Sequence, residues 1–248
     1  MNISDKVYSS SSEHASGKWY PSAANFPACK LLLHQNDIVN GATTWTDRIS
    51  QLVITNTTGF VKDANGVVPA AGGAQTITGP LPAMGTKQFV LMASGMFNAS
   101  NAIEIGDLGS GPGIGMKTGG GEYIIRDGSN YIASAAVGTP PSFTLNGCLS
   151  LHADTSASNE ARKTWASQDG TESTSAVAGA KTGTIAGNWT AFPNIIVLPT
   201  NAGASNMRFT IIALFAFTNA PSAPEVVIAT KWMAANPGKL YPRWAGVS

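Results

Sequence analysis

Tyr123-Ile124-Ile125-Arg126-Asp127-Gly128-Ser129-Asn130-Tyr131-Ile132 sets the reading of this chain. Two short apolar runs flank a polar stretch, and the Asp-Gly pair within it tolerates the positive φ angles of a tight antiparallel turn. The segment predicts a β-hairpin. Asp63-Ala64-Asn65-Gly66 predicts a second such turn. Outward from these, Leu31–Leu33, Leu52–Ile54, Val67–Val68, Phe89–Met92, Ile103–Ile105, Ile195–Leu198 and Phe209–Phe217 are short apolar runs bounded by turn formers, which is the signature of strands. Consecutive hairpins imply antiparallel pairing, and this many strands must fold into two layers. The expectation is an all-β, antiparallel β-sandwich over residues 29–248.

Residues 1–28 read as an extended N-terminal arm, since Gly17, Pro21 and Pro27 interrupt regular structure. Trp19, Tyr20 and Phe26 give that arm something to bury, so it is expected to pack on its own domain or on a neighbouring subunit. One helix is expected, late in the chain. Ser222-Ala223-Pro224-Glu225 has the form of a capping box, with Pro224 in the first turn where a missing N–H costs nothing. Val227, Ile228, Lys231, Trp232 and Ala235 then share a face at helical spacing, and Asn236-Pro237-Gly238 stops the helix. The tail Leu240-Tyr241-Pro242-Arg243-Trp244 is expected to return along the sandwich.

Composition narrows the function. Only 12% of residues are charged, about half of the usual ~25%. Fifteen basic residues against fourteen acidic ones give a net charge of +1, and no Lys/Arg run occurs, so nucleic-acid binding by counterion release has no footprint. The longest apolar stretch, Phe209–Phe217, is far short of the ~20 residues of a membrane-spanning helix. Met1 to Pro21 is polar and serine-rich, and does not read as a signal peptide. With synthesis in the cytoplasm, Cys29 and Cys148 are expected as buried free thiols rather than a disulfide.

Chemistry-bearing constellations are sparse. The Gly-rich stretch 106–121 has no Gly-Lys-Ser/Thr after it and no helix pattern, which disfavours a phosphate cradle; loops around a short strand at Ile114–Met116 are expected. His152 and Asp154 have strand spacing suited to orienting an imidazole, but no Gly-x-Ser-x-Gly elbow supplies a nucleophile. Glu104 and Asp107 are three residues apart and would face opposite ways on a continuing strand, unlike the acid pair of a retaining glycosidase. The chain is expected not to be an enzyme. Asp63, Asn65, Asp127 and Asn130 are conceivable calcium donors already explained by turn geometry, so no metal and no cofactor is expected. Trp165, Trp189 and Tyr131 are candidates for stacking on a sugar ring, with core packing as the competing expectation.

Thr44-Trp45-Thr46-Asp47 after a polar turn, and a capped helix ending in Lys231-Trp232-Met233 before Leu240-Tyr241-Pro242, resemble the concanavalin A-like (laminin G-like) jelly rolls, more narrowly those of tailed-bacteriophage virion proteins. The resemblance covers the layout of residues 30–248. Where many relatives follow Trp-x-Asp with Ser-Gly-x-Gly, this chain has Arg48-Ile49-Ser50-Gln51, so its first loop differs. The glycanases of the fold carry Glu-x-Asp-x-x-Glu; the nearest string here, Glu104-Ile105-Gly106-Asp107, lacks the third acid. The resemblance implies a structural virion protein, as a capsid decoration or tail or baseplate component, that adheres to other virion subunits and forms homo-oligomers. Trp19, Tyr20 and Phe26 would be the subunit contacts. A virion-borne module that binds a carbohydrate or host receptor is the alternative, and a glycan hydrolase comes last.

Overall fold

The computed structural model describes residues 28–79, 84–85, 88–96, 102–106, 112–117, 124–127, 129–133, 145–154, 160–174, 181–182, 196–198, 207–219 and 221–244. The subunit-contact candidates Trp19, Tyr20 and Phe26, and the stacking candidate Trp189, lie outside these residues, as does nearly all of the expected arm.

Every strand pairing among the described residues is antiparallel. The large sheet has eight strands: β1 (Cys29–His34), β4 (Phe60–Asp63), β5 (Gly66–Pro69), β7 (Gln88–Met96), β12 (Gly147–Asp154), β13 (Glu160–Ser167), β14 (Glu172–Thr174) and β17 (Arg208–Ala216). Their order is β14-β13-β12-β7-β17-β5-β4, with β1 alongside β5 on the same flank of β17. A six-stranded sheet runs β15 (Lys181–Thr182), β11 (Asn130–Ala133), β10 (Ile124–Asp127), β9 (Gly113–Lys117), β8 (Ala102–Gly106), β16 (Ile196–Val197). A three-stranded sheet joins β2 (Thr44–Thr46), β3 (Val53–Asn56) and β6 (Gln75–Thr78). The opening hairpin is β10–β11, where Asp127 pairs with Asn130.

Two cores result, one on each face of the large sheet. On the inner face Leu31, Leu33, Phe89, Leu91, Leu149, Leu151, Phe209 and Leu214 meet Trp45 and Ile54 of the small sheet and Ile103, Ile105, Ile114 and Ile125 of the six-stranded sheet. Gln75 ties the two smaller sheets together: its Nε2 donates to the Leu198 carbonyl at 2.6 Å and its Oε1 accepts from the Leu198 N–H at 3.2 Å. On the outer face Leu32, Val90, Met92, Ile211, Ala213 and Phe215 are covered by helix α1 (Ala223–Ala235) and the residues after it. The protein is therefore all-β with antiparallel sheets in face-to-face layers, and a helix adds a third layer. Burial on both faces explains why β7 and β17 are apolar almost throughout rather than alternating.

Helix α1 starts as expected, with the Ser222 Oγ accepting from the Glu225 N–H at 3.3 Å. Its buried face is offset from the expected one. Val226, Ala229, Thr230, Met233 and Ala234 pack on the sheet, whereas Ile228 is 50% exposed and Lys231 reaches solvent to pair with Glu172 at 3.1 Å. Small side chains let the helix approach closely, and Thr230 hydrogen-bonds Ser150 of β12 (2.8 Å between hydroxyls). After the helix, Trp244 packs edge-on against Phe215, Phe217 and Tyr241 with ring centroids 5.0, 5.3 and 5.6 Å away, contacts worth about 0.5–1.5 kcal/mol each beyond area burial.

The Trp-x-Asp element closes the edge of the large sheet. The outer N–H of Leu32 in β1 donates to Asp47 Oδ1, the Leu32 carbonyl accepts from the Arg48 N–H at 3.0 Å, and the His34 carbonyl accepts from Trp45 Nε1 at 3.1 Å. Further along, β4 is covered by the preceding loop. The Phe60 carbonyl accepts from Gly41 N–H, the Phe60 N–H donates to Ala42, and the Lys62 N–H donates to Asn40 Oδ1, at 2.8, 2.8 and 2.9 Å. An edge that would otherwise recruit a foreign strand is thereby occupied by the chain itself.

Candidate functional site

The β12–β13 hairpin arms place successive residues on alternate faces, so position decides which side chains meet. Leu149, Leu151 and Ala153 of β12, and Ala161 and Trp165 of β13, enter the inner core. Cys148, Ser150, His152 and Asp154 therefore share the outer face with Glu160, Arg162, Thr164 and Ala166. The register sets His152 opposite Arg162 and Asp154 opposite Glu160; on the other side Val90 and Gln88 of β7 continue the same rows. Moving along the strands, the face passes from apolar under the middle of α1 to charged beside its N-terminus.

At that charged end lies a pocket of about 200 Å³ lined by His152, Asp154, Glu160, Arg162 and Ala223, the first residue of α1. This is smaller than the ~300–1,000 Å³ of pockets that take drug-sized ligands. Gln88 Nε2 donates to Asp154 Oδ2 at 3.1 Å and fixes that carboxylate from the β7 side. Among the described residues, Glu160 and Arg162 form no side-chain hydrogen bond or ion pair, although they stand two residues apart on one face. His152 Nε2 is buried and has no partner there either. Burial lowers the His152 pKa, with Asp154 opposing and Arg162 reinforcing the shift, so the imidazole is neutral at pH 7. Among the described lining residues, two carboxylates stand against one guanidinium. Beyond Ala223, the helix end does not supply anion-binding amides: Pro224 has no N–H, and the Glu225 and Val226 N–H groups are taken by the Ser222 hydroxyl and carbonyl. What it does supply is a positive dipole end facing the two acids.

Several expected residues lie elsewhere. Trp165 is 6% exposed, in the inner core, so its ring has no open face for a sugar; core packing is its role here. Tyr131 sits on β11, paired with Arg126 and Thr182, and its side chain lies outside the described residues. Asp63 is engaged by the Asn65 N–H at 2.8 Å and by Arg208 Nε at 2.8 Å, which accounts for both of its oxygens. Among the described residues no group of three or more His, Cys, Asp or Glu is placed to hold a metal ion. Cys29 and Cys148 are buried and free. Through the registers Cys29–Phe215, Phe215–Val90 and Val90–His152 they are three strands and four residues apart, roughly 14 Å across by 13 Å along, where a disulfide needs Cα atoms within ~7 Å.

Two further ionisable groups are buried, Lys163, which the sequence did not single out, and Asp47 of the Trp-x-Asp element. Lys163 lies on the inner face between Ala161 and Trp165, fully buried, and desolvation lowers its pKa to about 7. Asp47 is fully buried and accepts from the N–H groups of Leu32, Ile49 and Ser50 and from the Ser50 hydroxyl. Burial raises its pKa against those hydrogen bonds. His34 holds the corner: its Nδ1 accepts from the Asn36 N–H at 3.0 Å, which leaves the proton on Nε2 to donate to the Gly238 carbonyl at 2.9 Å. Comparison of the chain with protein-family models, with curated proteins and with solved structures gave no match.

Proposed function

We propose that this chain is a concanavalin A-like jelly-roll module that serves as a structural protein of a tailed-phage virion, in the capsid or in the tail or baseplate, and works by adhesion to neighbouring subunits. The observation that supports the reading most is the large sheet, buried on both faces and occupied along its β1–β4 edge by residues 38–48. Such a body is a stiff platform that does not recruit strands along that edge. Attachment then falls to its outer faces and to residues 1–28, where Trp19, Tyr20 and Phe26 supply apolar area. Pairing of β1 with β17, the first and last strands of the sheet, fits the jelly-roll layout. The protein is a homo-oligomer in this reading, as symmetric sites on a particle favour.

Mass spectrometry of purified particles tests the assignment directly. Deletion of residues 1–27 should lower occupancy on the particle while the sandwich stays folded; undiminished occupancy would remove the arm from the mechanism.

A further inference from the structure

We infer that the pocket between the β12–β13 hairpin and the start of α1 binds a small zwitterion carrying both a primary ammonium and a carboxylate. Its lining is mixed in sign and arranged in rows. Asp154 and Glu160, direct cross-strand partners, form the acidic row; His152 and Arg162, two residues back, form the donor row. Two residues of strand separate the rows by about 6.6 Å.

Each simpler ligand class leaves something unmet. A plain anion would face Asp154 and Glu160. A plain cation would meet Arg162. An apolar group would cover Glu160 and Arg162 without pairing them, at the full desolvation cost of each. A sugar finds acceptors and donors but, among the described lining residues, only Ala223 as an apolar surface. A ligand with an ammonium for the acidic row and a carboxylate for Arg162 makes charge-assisted hydrogen bonds with both rows at once. Two like charges directly opposed on a sheet are unfavourable by themselves. A bound ammonium between them removes that repulsion. The volume, about 200 Å³, suits a free amino acid or the terminus of one.

The inference goes beyond the virion reading and stands apart from where the protein sits, so particle occupancy and ligand binding fail independently. The test is NMR titration of the full chain with glycine, L-lysine, methylammonium, acetate and D-glucose. The chain has three histidines, so the His152 ring signals are resolvable in the unmodified protein. Glycine or L-lysine should shift them saturably, and methylammonium and acetate should each bind at least about tenfold more weakly. Glu160→Gln and Arg162→Met should each reduce the amino-acid affinity about tenfold with unchanged circular dichroism, and Arg162→Lys should restore part of it. Three outcomes would overturn the inference: no saturable shift of His152 by either amino acid up to ~50 mM, saturation by D-glucose instead, or full affinity in the folded variants.

Discussion

Asp47 accepts the backbone N–H of Leu32, fifteen residues earlier in the chain, and so completes the outer edge of β1 with a carboxylate instead of a neighbouring strand. The same side chain holds Ile49 and Ser50 in the following turn. One residue therefore fixes a loop and satisfies an edge.

Asp47→Ala should be strongly destabilising, because one buried and two part-buried N–H groups lose their acceptor together. A loss of about 2–4 kcal/mol is expected, and more aggregation on partial unfolding as the β1 edge opens. Urea titration at neutral pH measures the first and light scattering the second. Asp47→Asn retains one acceptor oxygen and should cost less.

Gly95 has φ +144° and a Cβ there would fall on the Arg208 carbonyl, where β7 meets the irregular pairing between Phe209 and Ile211 of β17. Gly66, at φ +133°, approaches Phe209 from the opposite flank. Gly95→Ala should cost about 2–4 kcal/mol through backbone strain and overpacking, against under 1 kcal/mol for an ordinary open site. Thermal denaturation of Gly95→Ala beside Gly72→Ala, whose surroundings are open, separates steric contact from the left-handed backbone penalty that both share.

His34 should make stability fall in mild acid. Burial, with the Arg48 charge, lowers its folded pKa to about 4 from an ordinary 6.5. Between these values the unfolded chain binds the proton and the folded one does not, so stability is complete above pH 6.5 and drains as pH drops towards 4. His152 titrates in the same sense. His34→Gln should flatten the dependence between pH 6.5 and 5 without abolishing it, as read from urea midpoints across that range.

Lys163 acts in the opposite part of the scale. Its folded pKa of about 7 lies below the 10.5 of the free side chain, so the unfolded state holds the extra proton from pH 7 upward. Stability should then rise with pH between about 7 and 10. Lys163→Met, which keeps the volume and removes the charge, should remove that slope. Denaturation at pH 7 and pH 9.5 on both proteins provides the comparison.

Cys29 and Cys148 should react with thiol reagents on the order of 100-fold or more slowly than a free thiol, because burial both pushes their pKa values up and hides the sulfur until the sheet opens. Labelling kinetics with and without sub-denaturing urea check this, and an intramolecular disulfide should not form under oxidation of the folded protein.

Strands were legible wherever turn chemistry bounded an apolar run: β10–β11 around Asp127 and β4–β5 around Asp63 both follow their Asp/Asn-Gly signals. The direction of α1 was not. Val226, Ala229, Thr230, Met233 and Ala234 face the sheet, Trp232 packs at the margin of that core, and Ile228 is left half exposed. A helix is oriented by how near it must come, which composition along the chain does not encode. The site was half legible. His152 and Asp154 announce a shared face by spacing alone, whereas Arg162 and Glu160 join them through the register of β13, a property of two strands together. Trp165, a stacking candidate with core packing as the favoured alternative, is turned inward by alternation along β13.

The central place of β17 has a temporal consequence. Residues 208–216 sit between β7 and β1, segments made far earlier, and join the two parts of the large sheet when they insert, before α1 arrives to cover its outer face. During synthesis the earlier strands keep apolar surface uncovered until this late strand latches the inner layer and a still later helix shuts the outer one.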